Sequence, residues 1–178
     1  MTDFEELLTR NRSFAATDLK DRVPQIPFIP NLQVYVITCI DPRVDPADIL
    51  DLKLGDAIVA RTVGGRITPA VLQDLAWISY LHETKTPDAD WFDVMVIHHT
   101  DCGSGFFADD ELRRGFVAKG FDEAGLAELA VLDPTATVRT DVDVLLGYEN
   151  LSPQVRIAGF SYDIHTGLLT EVVPPRVR

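Results

Sequence analysis

The stretch "VMVIHHTDCGSG", residues 94–105, joins an aliphatic run to a group of reactive side chains. Its first four residues have the composition of a strand buried in a sheet. Two of the chain's four histidines and one of its two cysteines follow directly. A buried strand that ends in such residues predicts a ligand-binding loop at the edge of a sheet.

Two further runs, "LQVYVITCI" at 32–40 and "DAIVAR" at 56–61, also have strand composition. Helices are predicted between the strands, because Asp45-Pro46 and Thr68-Pro69 each place a capping residue before a proline at the first helical position. The segment "VRIAGFSYDIHTGLLTEVV", residues 155–173, predicts a C-terminal hairpin with its turn at "HTG". Strands that alternate with helices predict an α/β fold with a mainly parallel β-sheet flanked by helices.

The N-terminal segment is predicted to lie apart from this body. "TDFE" at 2–5 has the form of a capping box and predicts a helix over 3–12. The proline-rich "DRVPQIPFIPN" at 21–31 predicts an extended connector. Residues 1–30 are therefore expected to form a detached helical arm and connector of a single domain, residues 1–178.

Composition excludes several classes of function. The net charge is −12 without a basic stripe, which argues against a nucleic-acid partner. No apolar run approaches the roughly 18 residues that span a bilayer, which argues against a membrane protein. The N terminus is acidic and unlike a signal peptide, so we expect a cytoplasmic location. Two cysteines are too few for a disulfide scaffold, and we expect both to be reduced.

Chemistry is predicted where the strands end. Cys39 ends the first strand, while His99 and Cys102 follow the third, and parallel strands bring these ends to one edge. Two thiolates and an imidazole suit tetrahedral zinc, and three protein ligands leave the fourth position open, as in catalytic zinc sites. The alternatives are ordinary buried side chains, a structural zinc module with a fourth protein ligand, or a redox thiol pair.

The motif C-x-D-x-R, which contains Cys39, Asp41 and Arg43, followed by the H-x-x-C of His99 and Cys102, resembles the β-class carbonic anhydrases. The likeness extends over most of the chain, through "VITCIDPR", "LKLGDAIVART" and "HHTDCG" to the final hairpin. The resemblance implies one Zn²⁺ per chain bound by the two cysteines and His99, with Asp41 and Arg43 as a catalytic dyad. It also implies a homodimer, or a multiple of dimers, with the site near the subunit seam.

The implied reaction is addition of zinc-bound hydroxide to a small linear heterocumulene. The family default is reversible hydration of carbon dioxide to bicarbonate; the alternative is hydrolysis of carbonyl sulfide to carbon dioxide and hydrogen sulfide, since small members of the family have this activity. Thr62 and Val63 stand where relatives commonly have asparagine and alanine, and Pro42 replaces a serine or alanine. These departures lie near the expected site and leave the substrate open.

The remaining candidates are expected to have structural roles. A backbone hydrogen bond is the preferred interpretation for His98, and surface positions are predicted for His82 and His165. Phe106 and Phe107 are expected in the core.

Overall fold

The computed structural model describes residues 2–18 and 28–178. It confirms the predicted α/β fold. A five-stranded sheet has the order β2-β1-β3-β4-β5 and comprises β1 (Val34–Cys39), β2 (Ala57–Thr62), β3 (Asp93–His99), β4 (Arg156–Asp163) and β5 (Leu168–Val177). β2, β1, β3 and β4 are parallel, and β5 returns antiparallel to β4 as the predicted C-terminal hairpin.

Six α-helices occur in the described part of the chain: α1 (Asp3–Ala15), α2 (Pro46–Ile49), α3 (Pro69–Lys85), α4 (Asp110–Val117), α5 (Glu123–Leu129) and α6 (Pro134–Gly147). The predicted starts of α2 and α3 are confirmed: Asp45 accepts a hydrogen bond from the Ala47 amide, and Thr68 accepts one from that of Val71. In both helices the proline follows at the first position, where its missing N–H leaves no hydrogen bond unmade.

The helix predicted over 3–12 is present and runs three residues further. Thr2 and Glu5 form the predicted capping box, and α1 contains no buried residue, as expected of a detached arm. The predicted connector at 21–31 falls largely on residues 19–27, which lie outside the described residues.

Two apolar clusters cover the two faces of the sheet. On one face α3 and α6 pack against the strands, with Leu75 and Leu145 fully buried. The cluster on the other face includes Val36, Ile97 and both cysteines. A side chain at a strand end can therefore be enclosed on either face. No helix in the described ranges is long and apolar enough to cross a membrane.

Candidate metal centre

Cys39, His99 and Cys102 meet at the carboxyl edge of the sheet. Cys39 is the last residue of β1 and His99 the last of β3, and these strands are parallel neighbours. Cys102 lies three residues beyond β3, and the three ligand atoms are all within 4.8 Å of one another. The two Sγ atoms are 3.9 Å apart, and all three residues are buried. The structure thus brings the three predicted residues together.

Two backbone features allow this approach. Asp101 has a φ of 53°, which turns the chain after β3 and directs Cys102 back toward the sheet. Gly65 packs against both strand ends, since a Cβ there would lie 2.9 Å from the Ile97 carbonyl oxygen and 3.2 Å from the Cys39 nitrogen. Its φ of 71° is also one that glycine adopts without strain.

One imidazole nitrogen of His99 has a hydrogen-bond partner, and the other has none among the described residues. Nδ1 donates to the carbonyl oxygen of Thr100 at 2.9 Å, because a carbonyl can only accept. Nε2 is buried and has no hydrogen-bond partner among the described residues. A buried nitrogen left unpaired is costly, and a metal ion beside the sulfurs would satisfy it.

The electrostatics of the cluster favour a cation. Burial opposes protonation of His99, but the nearby Cys102 sulfur and its charge raise the pKa of the imidazole overall. The hydrogen bond from Cys39 lowers the pKa of Cys102, whereas the same bond and burial raise the pKa of Cys39. Two sulfurs that share one proton beside a proton-attracting imidazole form a donor set that fits a soft or borderline dication such as zinc.

Arg43 holds Asp41 at the edge of the cluster. Its Nε and Nη2 donate to the two carboxylate oxygens at 3.0 and 2.7 Å, and its backbone amide donates to Oδ1 at 2.9 Å. The bonds from Arg43 lower the pKa of Asp41 to about 2, so Asp41 is ionised at neutral pH. Asp41 does not belong to the group of atoms within 4.8 Å, although its amide lies 3.4 Å from Cys39 Sγ.

Two further residues form hydrogen bonds that hold Asp41 and Arg43 in place. Asp101 is exposed and also accepts from Arg43 Nη1 at 2.8 Å. Arg61 donates to the carbonyl oxygens of Cys39 and Asp41 at 3.0 and 2.7 Å. The backbone that carries the first ligand and the carboxylate is therefore fixed from the neighbouring strand β2.

The expectation for His98 was wrong. Its ring lies on the opposite face from His99, with Nδ1 2.7 Å from Thr137 Oγ1 and Nε2 3.1 Å from Asp141 Oδ2. Asp141 also accepts from Arg66 Nε and Nη2 at 2.8 and 2.9 Å and from the Ile67 amide at 3.1 Å. His98 thus belongs to a buried polar network that anchors α6 to the strand end.

The structure also tests whether two other histidines and two phenylalanines are buried as predicted. His82 is 2% exposed and packs its ring 4.4 Å from that of Trp91, so its predicted surface position was wrong. His165 is exposed in the hairpin turn, as predicted. Phe106 is 67% exposed, which contradicts its assignment to the core, while Phe107 is half-buried and packs edge-on to Phe116.

Sequence reasoning missed Ser104 and the partners of His98. Ser104 Oγ lies 3.2 Å from Cys102 Sγ, and its place two residues after a candidate ligand was an available signal. Asp141 stands 75 residues from Arg66, in a helix whose sequence carries no motif, so only the fold reveals this contact.

The chain is similar to known proteins over most of its length. Residues 34–119 match a protein family described as "Carbonic anhydrase". The "Beta-carbonic anhydrase 1" of Mycobacterium tuberculosis is 30% identical over 153 residues, which cover 84% of this chain and 87% of that protein. A "Carbon disulfide hydrolase" of an Acidianus species is 25% identical over 160 residues, 76% of this chain and 75% of that protein.

Solved structures agree with this similarity. The carbonic anhydrase of Streptococcus mutans matches 97% of this chain and 98% of its own, with a TM-score of 0.74 and 29% identity. The "APO Form" of a carbon disulfide hydrolase matches the fold over 94% of this chain and 88% of its own, with a TM-score of 0.60 and 23% identity. Sequence and structure together show that the chain belongs to the β-class carbonic anhydrase family, whose homologues include carbon disulfide hydrolases.

Proposed function

We propose that this protein is a zinc enzyme that catalyses the reversible hydration of carbon dioxide to bicarbonate. The observation that carries the proposal is the cluster of Cys39, His99 and Cys102, which contains a buried imidazole nitrogen with no other partner in the described part of the chain. These three side chains would hold one Zn²⁺ per chain. Among the described residues no fourth such side chain joins the cluster, as is typical of catalytic zinc.

When bound, zinc supplies Lewis acidity that lowers the pKa of a coordinated water. The protein's own contribution comes from Asp41 and Arg43. An ionised Asp41 oxygen accepts a hydrogen bond from the attacking water and directs its lone pair toward the carbon of the substrate. Arg43 occupies both carboxylate oxygens and so restrains Asp41 from moving onto the metal as a fourth ligand.

Carbonyl sulfide hydrolysis is the second candidate activity, and the similarity to carbon disulfide hydrolases favours it. Carbonyl sulfide carries one oxygen and one sulfur, and its hydrolysis needs the same nucleophile as carbon dioxide hydration. Two of the residues that depart from the family pattern are Pro42 and Thr62. Pro42 is exposed beside Asp41 and Arg43, and the Thr62 hydroxyl donates a hydrogen bond to the Arg66 carbonyl at 2.8 Å. An apolar pocket separates near-isosteres by only about 10- to 200-fold, so we expect measurable activity on both gases.

A structural zinc module and a redox thiol pair are the non-enzymatic alternatives. A structural site requires a fourth protein ligand, and the described residues supply none to the cluster. A redox pair would exchange electrons without metal, and the separation of 3.9 Å between the sulfurs does not by itself disfavour it. Metal analysis of protein purified without added zinc separates the redox pair from a zinc site, and turnover separates the proposed enzyme from a structural zinc module.

We also propose that the chain assembles as a homodimer or a multiple of dimers. Apolar side chains on α1 and α3 are exposed, including Phe4 at 78%, Trp77 at 62% and Tyr80 at 66%. Buried against a second subunit, such side chains would contribute to association. We also propose a cytoplasmic location.

The activity is tested by measuring carbon dioxide hydration and sulfide release from carbonyl sulfide on one zinc-loaded preparation. Replacing Asp41→Asn keeps the shape but removes the charge, so zinc should remain while turnover falls about 10²- to 10⁴-fold. Asp101→Asn is the matched control, because Asp101 also pairs with Arg43 but has no proposed contact with the nucleophile. Absence of turnover on both gases in the zinc-loaded protein would contradict the proposal.

A further inference from the structure

The hydroxyl of Ser104 is placed between a backbone amide and a sulfur of the cluster. Ser104 is 5% exposed, and its Oγ accepts a hydrogen bond from the Val131 amide at 3.1 Å. The same Oγ lies 3.2 Å from Cys102 Sγ. A thiolate that binds a metal carries no proton and can only accept, so the hydroxyl must donate to the sulfur.

The surroundings hold this hydroxyl in place. A Cβ built on Gly64 would lie 2.9 Å from Ser104 Oγ and 3.1 Å from Cγ2 of Val131. Gly64 has a φ of 72°, which an L side chain rarely adopts. The absence of a side chain at Gly64 leaves the space that the Ser104 hydroxyl uses.

The two sulfurs of the cluster differ in their donors. Cys39 Sγ receives the backbone amide of Asp41 at 3.4 Å, which no substitution of a side chain removes. Cys102 Sγ receives a side-chain hydroxyl at 3.2 Å, which a single substitution removes. Among the described residues, the Ser104 hydroxyl is thus a side-chain partner of a candidate ligand that one substitution removes.

We propose that Ser104 is a positioning residue that tunes how strongly Cys102 donates electrons to the bound metal, through the hydrogen bond from its hydroxyl to Sγ. This inference rests on the proposed metal site. A hydrogen bond to a thiolate draws electron density from the sulfur and leaves less for the metal, and it also fixes the direction of the ligand. A less donating thiolate leaves the metal a stronger Lewis acid, which is what water activation requires.

The test uses Co²⁺ in place of zinc, because sulfur-to-cobalt charge transfer reports the electron density on the thiolate. Ser104→Ala removes the hydroxyl, so the charge-transfer band should move to longer wavelength than in the unmodified protein. Zinc affinity, measured by competition with a chelator, should fall about 10- to 100-fold, because losing the bond that fixes the direction of Cys102 outweighs the stronger donation from its sulfur.

Ser79→Ala is the matched control. Ser79 is 2% exposed, and its hydroxyl accepts a hydrogen bond from the Ser152 amide at 3.1 Å, the same kind of bond that Ser104 makes to Val131. This variant should lose similar stability but keep both the cobalt spectrum and the zinc affinity of the unmodified protein.

Two failures are distinguishable. If the unmodified protein gives no sulfur-to-cobalt band, the proposed metal site is wrong and the inference falls with it. If the band forms but Ser104→Ala leaves its position and the zinc affinity unchanged, as Ser79→Ala is expected to do, the metal site stands and the role of Ser104 is overturned.

Discussion

At the end of β3, two adjacent histidines have different surroundings on the two faces of the sheet. His98 and His99 are adjacent and both fully buried, and the alternation of a strand directs them to opposite faces. On one face both ring nitrogens of His98 lie near polar partners, Thr137 and Asp141. On the other, Nε2 of His99 faces two sulfurs. Neither Nε2 makes a hydrogen bond of good geometry among the described residues, so the chemical nature of the neighbouring atoms is what differs.

The atoms that surround each ring, and not its burial, distinguish these two histidines. Burial alone does not separate them, because both rings are 0% exposed. Burial opposes ionisation of Asp141, but hydrogen bonds from His98 and Arg66 keep the pKa of Asp141 below its ordinary value. The neighbours of Nε2 therefore differ between the two rings: a carboxylate oxygen at 3.1 Å for His98, and two sulfurs for His99.

The largest effect is expected from removing a sulfur on the His99 face. Cys102→Ala leaves two candidate ligands, so bound zinc and activity should be lost together. Thr137→Val, which removes a hydroxyl 2.7 Å from His98 Nδ1 on the other face, should keep one zinc per chain. Metal analysis of both purified variants checks this, and full zinc occupancy in Cys102→Ala would break the assignment of the cluster.

A smaller effect, on stability instead of metal content, is expected from Asp141→Asn on the His98 face. The substitution leaves the Arg66 guanidinium, whose side chain is 13% exposed, without its counter-charge. Loss of one partner of a buried ion pair costs about 3–5 kcal/mol in the free energy of unfolding, which urea denaturation measures.

Asp93→Asn provides the control for that measurement. Asp93 pairs with Arg156 at 2.7 Å with both side chains substantially exposed, and such pairs contribute about 0–1 kcal/mol. Equal losses of unfolding free energy in the Asp141 and Asp93 variants would show that the buried ion pair of Asp141 stabilises the fold no more than an exposed pair does. Zinc content should be unchanged in both.

The smallest effect concerns acid and the pair of Asp41 and Arg43. Arg43 depresses the pKa of Asp41 from 3.8 to about 2, so the stabilisation from this pair is present above pH 4 and is lost as the pH falls through about 2. Since the Arg43 side chain is 46% exposed and solvent screens the pair, the contribution is small. The free energy of unfolding should be measured from pH 7 to pH 2 for Arg43→Gln and the unmodified protein. The difference between the two should be constant down to about pH 4 and should shrink below it. A difference that disappears between pH 7 and pH 5 would contradict the assigned pKa.

The parts of the molecule that sequence predicts are those set by local pattern. Strand composition and the capping residues before Pro46 and Pro69 locate the sheet and two helices, and the parallel order then places Cys39 beside His99. The partners of His98 could not be predicted, because Thr137 and Asp141 come from a helix docked by tertiary packing.

The predicted burial of His82 and Phe106 was also wrong, because the local sequence pattern does not determine it. His82 lies on the inner face of α3, where Trp91 and Phe92 enclose its ring. Phe106 lies in a short 3₁₀ turn, Gly103–Ala108, that leaves its side chain 67% exposed. Both outcomes depend on which side of an element meets the core, and a single residue's polarity does not specify that.

The most direct test of the account is the zinc content per folded chain of His99→Ala and His98→Ala, purified in parallel without added metal. Circular dichroism establishes that each variant is folded. We expect one zinc per chain in the unmodified protein and in His98→Ala, and none in His99→Ala. One zinc per chain in folded His99→Ala, or equal loss in both variants, would contradict it.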